Sequence, residues 1–199
     1  GVNFVELRHA GSAVDLARRY YSEGADELVF LDITASIEKR KTLLELVSEV
    51  AKVIRIPFTV GGGISELSDI EALLRAGADK VSLNTSIVKN PSLISEAAKR
   101  FGSQAVVAAI DVKSVDSVKK IFIKGGKEET QLEGLSWCRK VAELGAGEIL
   151  LTSMDHDGTK NGYDLDFLKQ VVENVTIPVI ASGGAGESKH FLEAFINGV

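Results

Sequence analysis

The sequence predicts an α/β fold, a (β/α)8 barrel built from two copies of one half, and three observations carry that prediction. Short apolar, β-branched runs alternate with stretches of helical period. Those runs are apolar on both faces, the pattern of parallel strands covered by helices. Two segments also recur at one offset: GADELVF (Gly24–Phe30) returns as GAGEILL (Gly145–Leu151), and IPFTVGGG (Ile56–Gly63) as IPVIASGG (Ile177–Gly184), each 121 residues on. Arg18 and Arg139 keep that spacing, as do Gly77 and Gly198. A repeat of this length describes two halves of a closed structure, whereas solenoids repeat every ~20–50 residues. An open doubly wound sheet gives no reason for a half-chain duplication.

The elements follow in order. Strands are expected at Glu27–Ile33, Phe58–Val60, Lys80–Asn84, Ala105–Asp111, Glu148–Ser153 and Ile177–Ala181. Helices are expected at Ser12–Ser22, Lys41–Ile54, Glu66–Arg75, Ser92–Phe101, Leu135–Leu144, Leu165–Glu173 and Ser188–Ile196. Gly24, Gly77 and Gly145 follow helical stretches where a left-handed cap is wanted, and Asn90–Pro91 suits an N-cap and first turn. Around residues 115–130, VKKIFIKGGKEET reads as a small hairpin turning at Gly125–Gly126, an insertion within one unit. At the 121-residue offset, the partner of Ile110–Lys113 falls before Gly1 and that of Lys80–Ser86 beyond Val199. The expectation is a single incomplete barrel domain over residues 1–199, with six of eight barrel strands.

Composition narrows the function. With 199 residues, 45% of them hydrophobic, one core needs no metal or disulfide staple. The lone Cys138 precludes an internal disulfide and fits a reducing, cytoplasmic setting. No apolar run approaches the ~18 residues of a membrane span. A net charge of −5 argues against general nucleic-acid binding.

In such barrels the active site gathers at the C-terminal strand ends. There the sequence offers Asp32 and Thr34, Gly61–Gly63, Asn84 and Thr85, Asp111 and Lys113, residues 152–157, and Ser182–Gly184. Gly61–Gly63 and Gly183–Gly184 each follow a strand and precede a helix, so backbone N–H groups can approach an anion there. A tight turn alone also explains such glycines, but the duplication favours two phosphate sites. Neither loop has the dinucleotide or P-loop spacing. Asp111 ends an apolar strand, where a carboxylate is costly unless paired or used. It reads as a general acid/base, or else as half of an ion pair with Lys113. The loop DHDGTKNGYD offers Asp155, His156 and Asp157, or simply a solvated turn; Lys160 stands where an EF-hand needs Gly. His9, His156 and His190 lack metal-ligand spacing, so neither metal nor cofactor is implied. Trp137 and Cys138 read as packing. At the opposite rim Glu27, Lys80 and Glu148 each start a strand, as ordinary solvated charges or as a ring gating the barrel floor.

The segments ELVFLDITAS, FTVGGGI, DKVSLNTS, FGSQAVVAAIDVK, GAGEILLTSMDHDGTKNGYD and IPVIASGGAG resemble the cyclase subunit family of imidazole glycerol phosphate synthase, along essentially the whole chain. That resemblance implies a duplicated (β/α)8 barrel of histidine biosynthesis that takes ammonia from a glutaminase subunit docked at the barrel floor. Its substrate carries two phosphates, and its products are imidazole glycerol phosphate and an aminoimidazole carboxamide ribotide. By motif, Asp111 matches one of two catalytic carboxylates. Gly63, Asn84 and Thr85 match one phosphate site, and Gly184 belongs to the other. Asp32 and Asp157 match polar residues lining the site, and Glu27, Lys80 and Glu148 match the tunnel gate. The family's other catalytic Asp and a loop Lys fall before Gly1, so the expectation for this chain alone is inactivity. Two alternatives stand beside this reading: the related phosphoribosylformimino isomerase of the same pathway, which needs no ammonia, and a non-catalytic barrel fragment.

Overall fold

The computed structural model describes residues 12–31 and 40–199. In chain order these form α1 (Ala13–Ser22), β1 (Leu28–Leu31), α2 (Arg40–Val53), β2 (Phe58–Gly61), α3 (Leu67–Ala76), β3 (Lys80–Leu83), α4 (Thr85–Lys89) and α5 (Ser92–Phe101). Then come β4 (Val106–Val115), β5 (Val118–Ile123), β6 (Glu128–Glu133), α6 (Gly134–Glu143), β7 (Glu148–Ser153), α7 (Leu165–Val172), β8 (Val179–Ser182) and α8 (Ser188–Ile196). The parallel order is β1-β2-β3-β4-β7-β8, and β5 and β6 hang from β4 as antiparallel strands. The six parallel strands and their helices are those expected, in an α/β architecture of the (β/α)8 kind.

The repeat is visible in the structure. Helix α1 reappears as α6 and β2 as β8 with both ends displaced by 121 residues. The start of α3 recurs in α8 at that offset.

Alternation separates the two faces of the sheet. Phe58, Val60, Val81, Leu83, Ile110, Val112, Ile149 and Leu151 point toward the helices and form the main core with Ile70, Ile94, Val141 and Val171. Each such side chain contributes roughly 1.5–3 kcal/mol of burial. The intervening residues face inward. Lys80 of β3 reaches Glu27, just before β1, and Glu148 of β7, two strands away in either direction. Three charges meeting across that span mark the inner face as concave.

Three local expectations change. The insertion is a meander rather than one isolated hairpin, because β4 runs on to Val115 and turns at Asp116–Ser117, both at positive φ (47° and 66°). Two consecutive left-handed residues make the tight turn whose twist suits a hairpin. The second turn, at Lys124–Gly126, stands where the glycines point. The one-turn helix α4 follows β3 directly, and Pro91 rather than Asn90 is the N-cap of α5. Asp32, Thr34 and His9 lie outside the described residues.

Candidate active site

The parallel register puts both glycine turns at one end of the sheet. Gly61 pairs with Leu31 and Ser82, and Ser182 pairs with Thr152, so the 61–63 and 182–184 turns both leave the C-terminal strand ends. Gly62 and Gly63 take φ of 105° and 65°, and Gly183 and Gly184 take 86° and 110°. At Gly184 a side chain is excluded by space as well: a Cβ there would lie 2.1 Å from the carbonyl oxygen of Gly162.

Asp111 stands between these turns. Its neighbours Ile110 and Val112 are fully buried toward the helices, which turns the carboxylate to the inner face. Thr152 is its register partner on β7. Asn84, just past β3, donates through Nδ2 to Asp111 Oδ2 (3.3 Å) and to the carbonyl of Ala109 (3.1 Å). Burial pushes the Asp111 carboxyl up to about 7; the Thr152 hydroxyl opposes that rise, and the charge of Asp157 adds to it. A carboxyl balanced near neutrality is suited to giving and taking protons. The ion pair with Lys113 does not form: Lys113 lies two residues further out on β4 and is exposed.

Thr85 donates to Asn84 Oδ1 (3.1 Å) and accepts from the N–H of Lys124 in the second hairpin turn (2.9 Å). The 154–163 loop is tied down rather than solvated. Asp155 accepts from the N–H of Ser114 (2.9 Å) and pairs with Lys119 (3.1 Å). Burial opposes its ionised form, but the Ser114 N–H and the ammonium outweigh it and hold the carboxyl below its ordinary value. Asp157 donates its N–H to the Ser153 carbonyl (2.9 Å), and His156 Nδ1 lies 2.9 Å from the Gly162 carbonyl oxygen. Gly162 in turn donates to the Gly184 carbonyl (2.8 Å), so this loop backs the second glycine turn.

His190 is buried at the start of α8. Its Nδ1 accepts the N–H groups of Gly186 (3.0 Å) and Glu187 (3.2 Å), a capping role. The equivalent residue 121 positions earlier, Asp69, accepts from Ser65 and Glu66 in the same way. Cys138 is fully buried, and burial pushes its thiol up to about 12, which leaves it without thiolate character.

At the other end of the sheet Lys80 Nζ lies 2.6 Å from Glu148 and 3.2 Å from Glu27. Burial works against its ammonium, but the two carboxylates more than compensate and raise its pKa. Glu148 and Thr152 are four residues apart on β7, so about 13 Å of inner face separates this cluster from Asp111. Trp137 is buried as packing, and the sequence does not single out Lys119, which pairs with both Asp155 and Asp164.

Comparison with known proteins agrees with this geometry. The model of the histidine biosynthesis protein family matches residues 1–199. The chain is 59% identical over 201 residues to the imidazole glycerol phosphate synthase subunit HisF of Prochlorococcus marinus (strain MIT 9515), covering all of this chain and 78% of that protein. It is 57% identical over 199 residues to the subunit of the same name from Alkaliphilus metalliredigens (strain QYMF), covering all of this chain and 79% of that protein. The chain belongs to the histidine biosynthesis protein family.

Proposed function

We propose that this chain is the cyclase subunit of imidazole glycerol phosphate synthase, a lyase that uses ammonia from a glutaminase subunit to close an imidazole ring on a bis-phosphorylated ribulosyl intermediate. The relatives' names point to a synthase subunit. The observation that carries the chemistry is Asp111, poised near neutrality on the rim that holds both glycine turns. Imine formation, ring closure and elimination each need a proton delivered or removed, and a carboxyl balanced in this way serves both directions. Gly63, with the neighbouring Asn84 and Thr85, takes one phosphate, and Gly184 takes the other. Two anchored ends hold the substrate's middle against Asp111 and remove the entropy of finding that arrangement.

The Lys80–Glu27–Glu148 cluster at the far end serves as the gate for ammonia. A groove bordered by Ile54, Arg55, Pro57 and Asp79 opens on that rim, which supports docking of the glutaminase there. The shared sheet and the internal repeat support reading the chain as one barrel domain with the meander as its insertion. The chemistry is tested by supplying the full-length protein with ammonium and the bis-phosphorylated ribulosyl substrate. Ammonia-dependent release of imidazole glycerol phosphate is expected. Isomerisation of the preceding intermediate without ammonia consumption would assign the chain to the isomerase instead.

A further inference from the structure

Of the lysines in the inserted meander, Lys119 reaches furthest into the molecule. Lys119, on β5, places Nζ 2.5 Å from Asp164 and 3.1 Å from Asp155. These two carboxylates stand at the two ends of the 154–163 loop, so one ammonium closes it. Both ends are also tied to the strands that carry the site. Asp155 accepts from Ser114 on β4, three residues beyond Asp111, and Asp164 accepts from Ser153 (3.0 Å), next to Thr152. Asp164 further caps α7 by accepting from the N–H of Phe167, whose ring lies 6.0 Å from the ammonium. The loop so closed holds Asp157 and the Gly162 backbone that meets Gly184. The cluster is only partly exposed, Lys119 at 20% and Asp164 at 12%, which sets it apart from the solvent-screened pairs elsewhere on the surface.

We propose that Lys119 is a positioning residue for substrate binding: it locks the 154–163 loop so that Asp157 and the second glycine turn stay preorganised for the phosphate end of the substrate. The inference rests on the site assignment made under the proposed function. Lys119 touches no reacting atom and acts only through the loop.

The experiment is steady-state kinetics of full-length Lys119→Met and Lys119→Arg with saturating ammonium and varied bis-phosphorylated ribulosyl substrate, alongside amide hydrogen exchange of residues 154–163. Lys119→Met is expected to raise KM about tenfold, to change kcat less than about threefold, and to speed exchange in the loop. Lys119→Arg, which keeps a charge able to bridge two carboxylates, is expected to restore KM to within about threefold. Asp155→Asn is expected to act in the same direction, and its effect and that of Lys119→Met are expected to fall short of additivity in the double variant. It carries the test if Lys119→Met does not fold. An unchanged KM in folded Lys119→Met or in folded Asp155→Asn overturns the proposal, as does a fall in kcat at constant KM. Asp111→Asn is measured in parallel. If that variant turns over normally, the site assignment itself fails, whereas a collapse there with unchanged KM in Lys119→Met discards the loop lock alone.

Discussion

Asn84 donates one amide to both the Asp111 carboxylate and the Ala109 carbonyl, two residues apart on the same strand. The Asp111 carboxylate is therefore held in orientation by the residue that follows β3, the strand beside the one that ends in the first glycine turn; under the proposed function, the phosphate end and the proton transfer share this support.

The position of Asp111 predicts a pH limb. Burial pushes its pKa up to about 7, with Asp157 adding to the rise against the Thr152 hydroxyl. Asp157→Asn removes that like charge, so the Asp111 limb in the pH dependence of kcat is expected to move to lower pH. An unmoved limb contradicts the coupling.

Stability carries the same sign. An acid raised in the folded state is ionised first in the unfolded chain, so stability declines as pH rises from near 4 toward 7 and is flat above. Asp111→Asn lacks this decline. Relative to the unsubstituted protein it is expected to gain about 2–4 kcal/mol across that window, read by urea unfolding at several pH values. A constant difference would show that burial does not perturb Asp111.

The charged floor should respond unequally to its two carboxylates. Glu148 is mostly buried, with an Oε2 that meets no hydrogen-bond partner, whereas the side chain of Glu27 is 44% exposed. Glu148→Gln removes the shorter and less exposed pairing of Lys80 and is expected to cost about 2 kcal/mol of unfolding free energy, while Glu27→Gln costs under about 1. Equal losses would contradict this asymmetry.

Gly63 separates charge from backbone. Its φ of 65° lies where Asn and Asp are tolerated better than other side chains. Gly63→Asp is expected to weaken substrate binding at least about tenfold more than Gly63→Asn, because it sets a carboxylate against phosphate. Calorimetric titration that finds the two equal would remove the phosphate assignment.

The repeat made most of this fold legible, because half-barrel duplication leaves matching apolar runs and matching glycines; β2 and β8 stand one period apart, as their sequences do. The burial of Asp111 was legible, because an acid following an apolar run has little but the interior around it; that its strand runs on to Val115 was not. Lys119 was not, since its partners lie 36 and 45 residues away in sequence and strand alternation gives no sign of them. Nor was the exchange of Asp69 for His190 between the two halves, where different side chains accept the same pair of backbone N–H groups. Local pattern reports burial and turns, whereas pairing between distant polar groups becomes visible only once the chain is folded.

The most direct test is the ammonium-supported turnover of full-length Asp111→Asn. The amide keeps the shape of the carboxyl and its contact with Asn84 but cannot cycle a proton, so kcat is expected to fall by roughly two to four powers of ten with substrate affinity largely retained. A rate within a few-fold of the unsubstituted enzyme would leave Asp111 a structural residue and contradict the acid/base account.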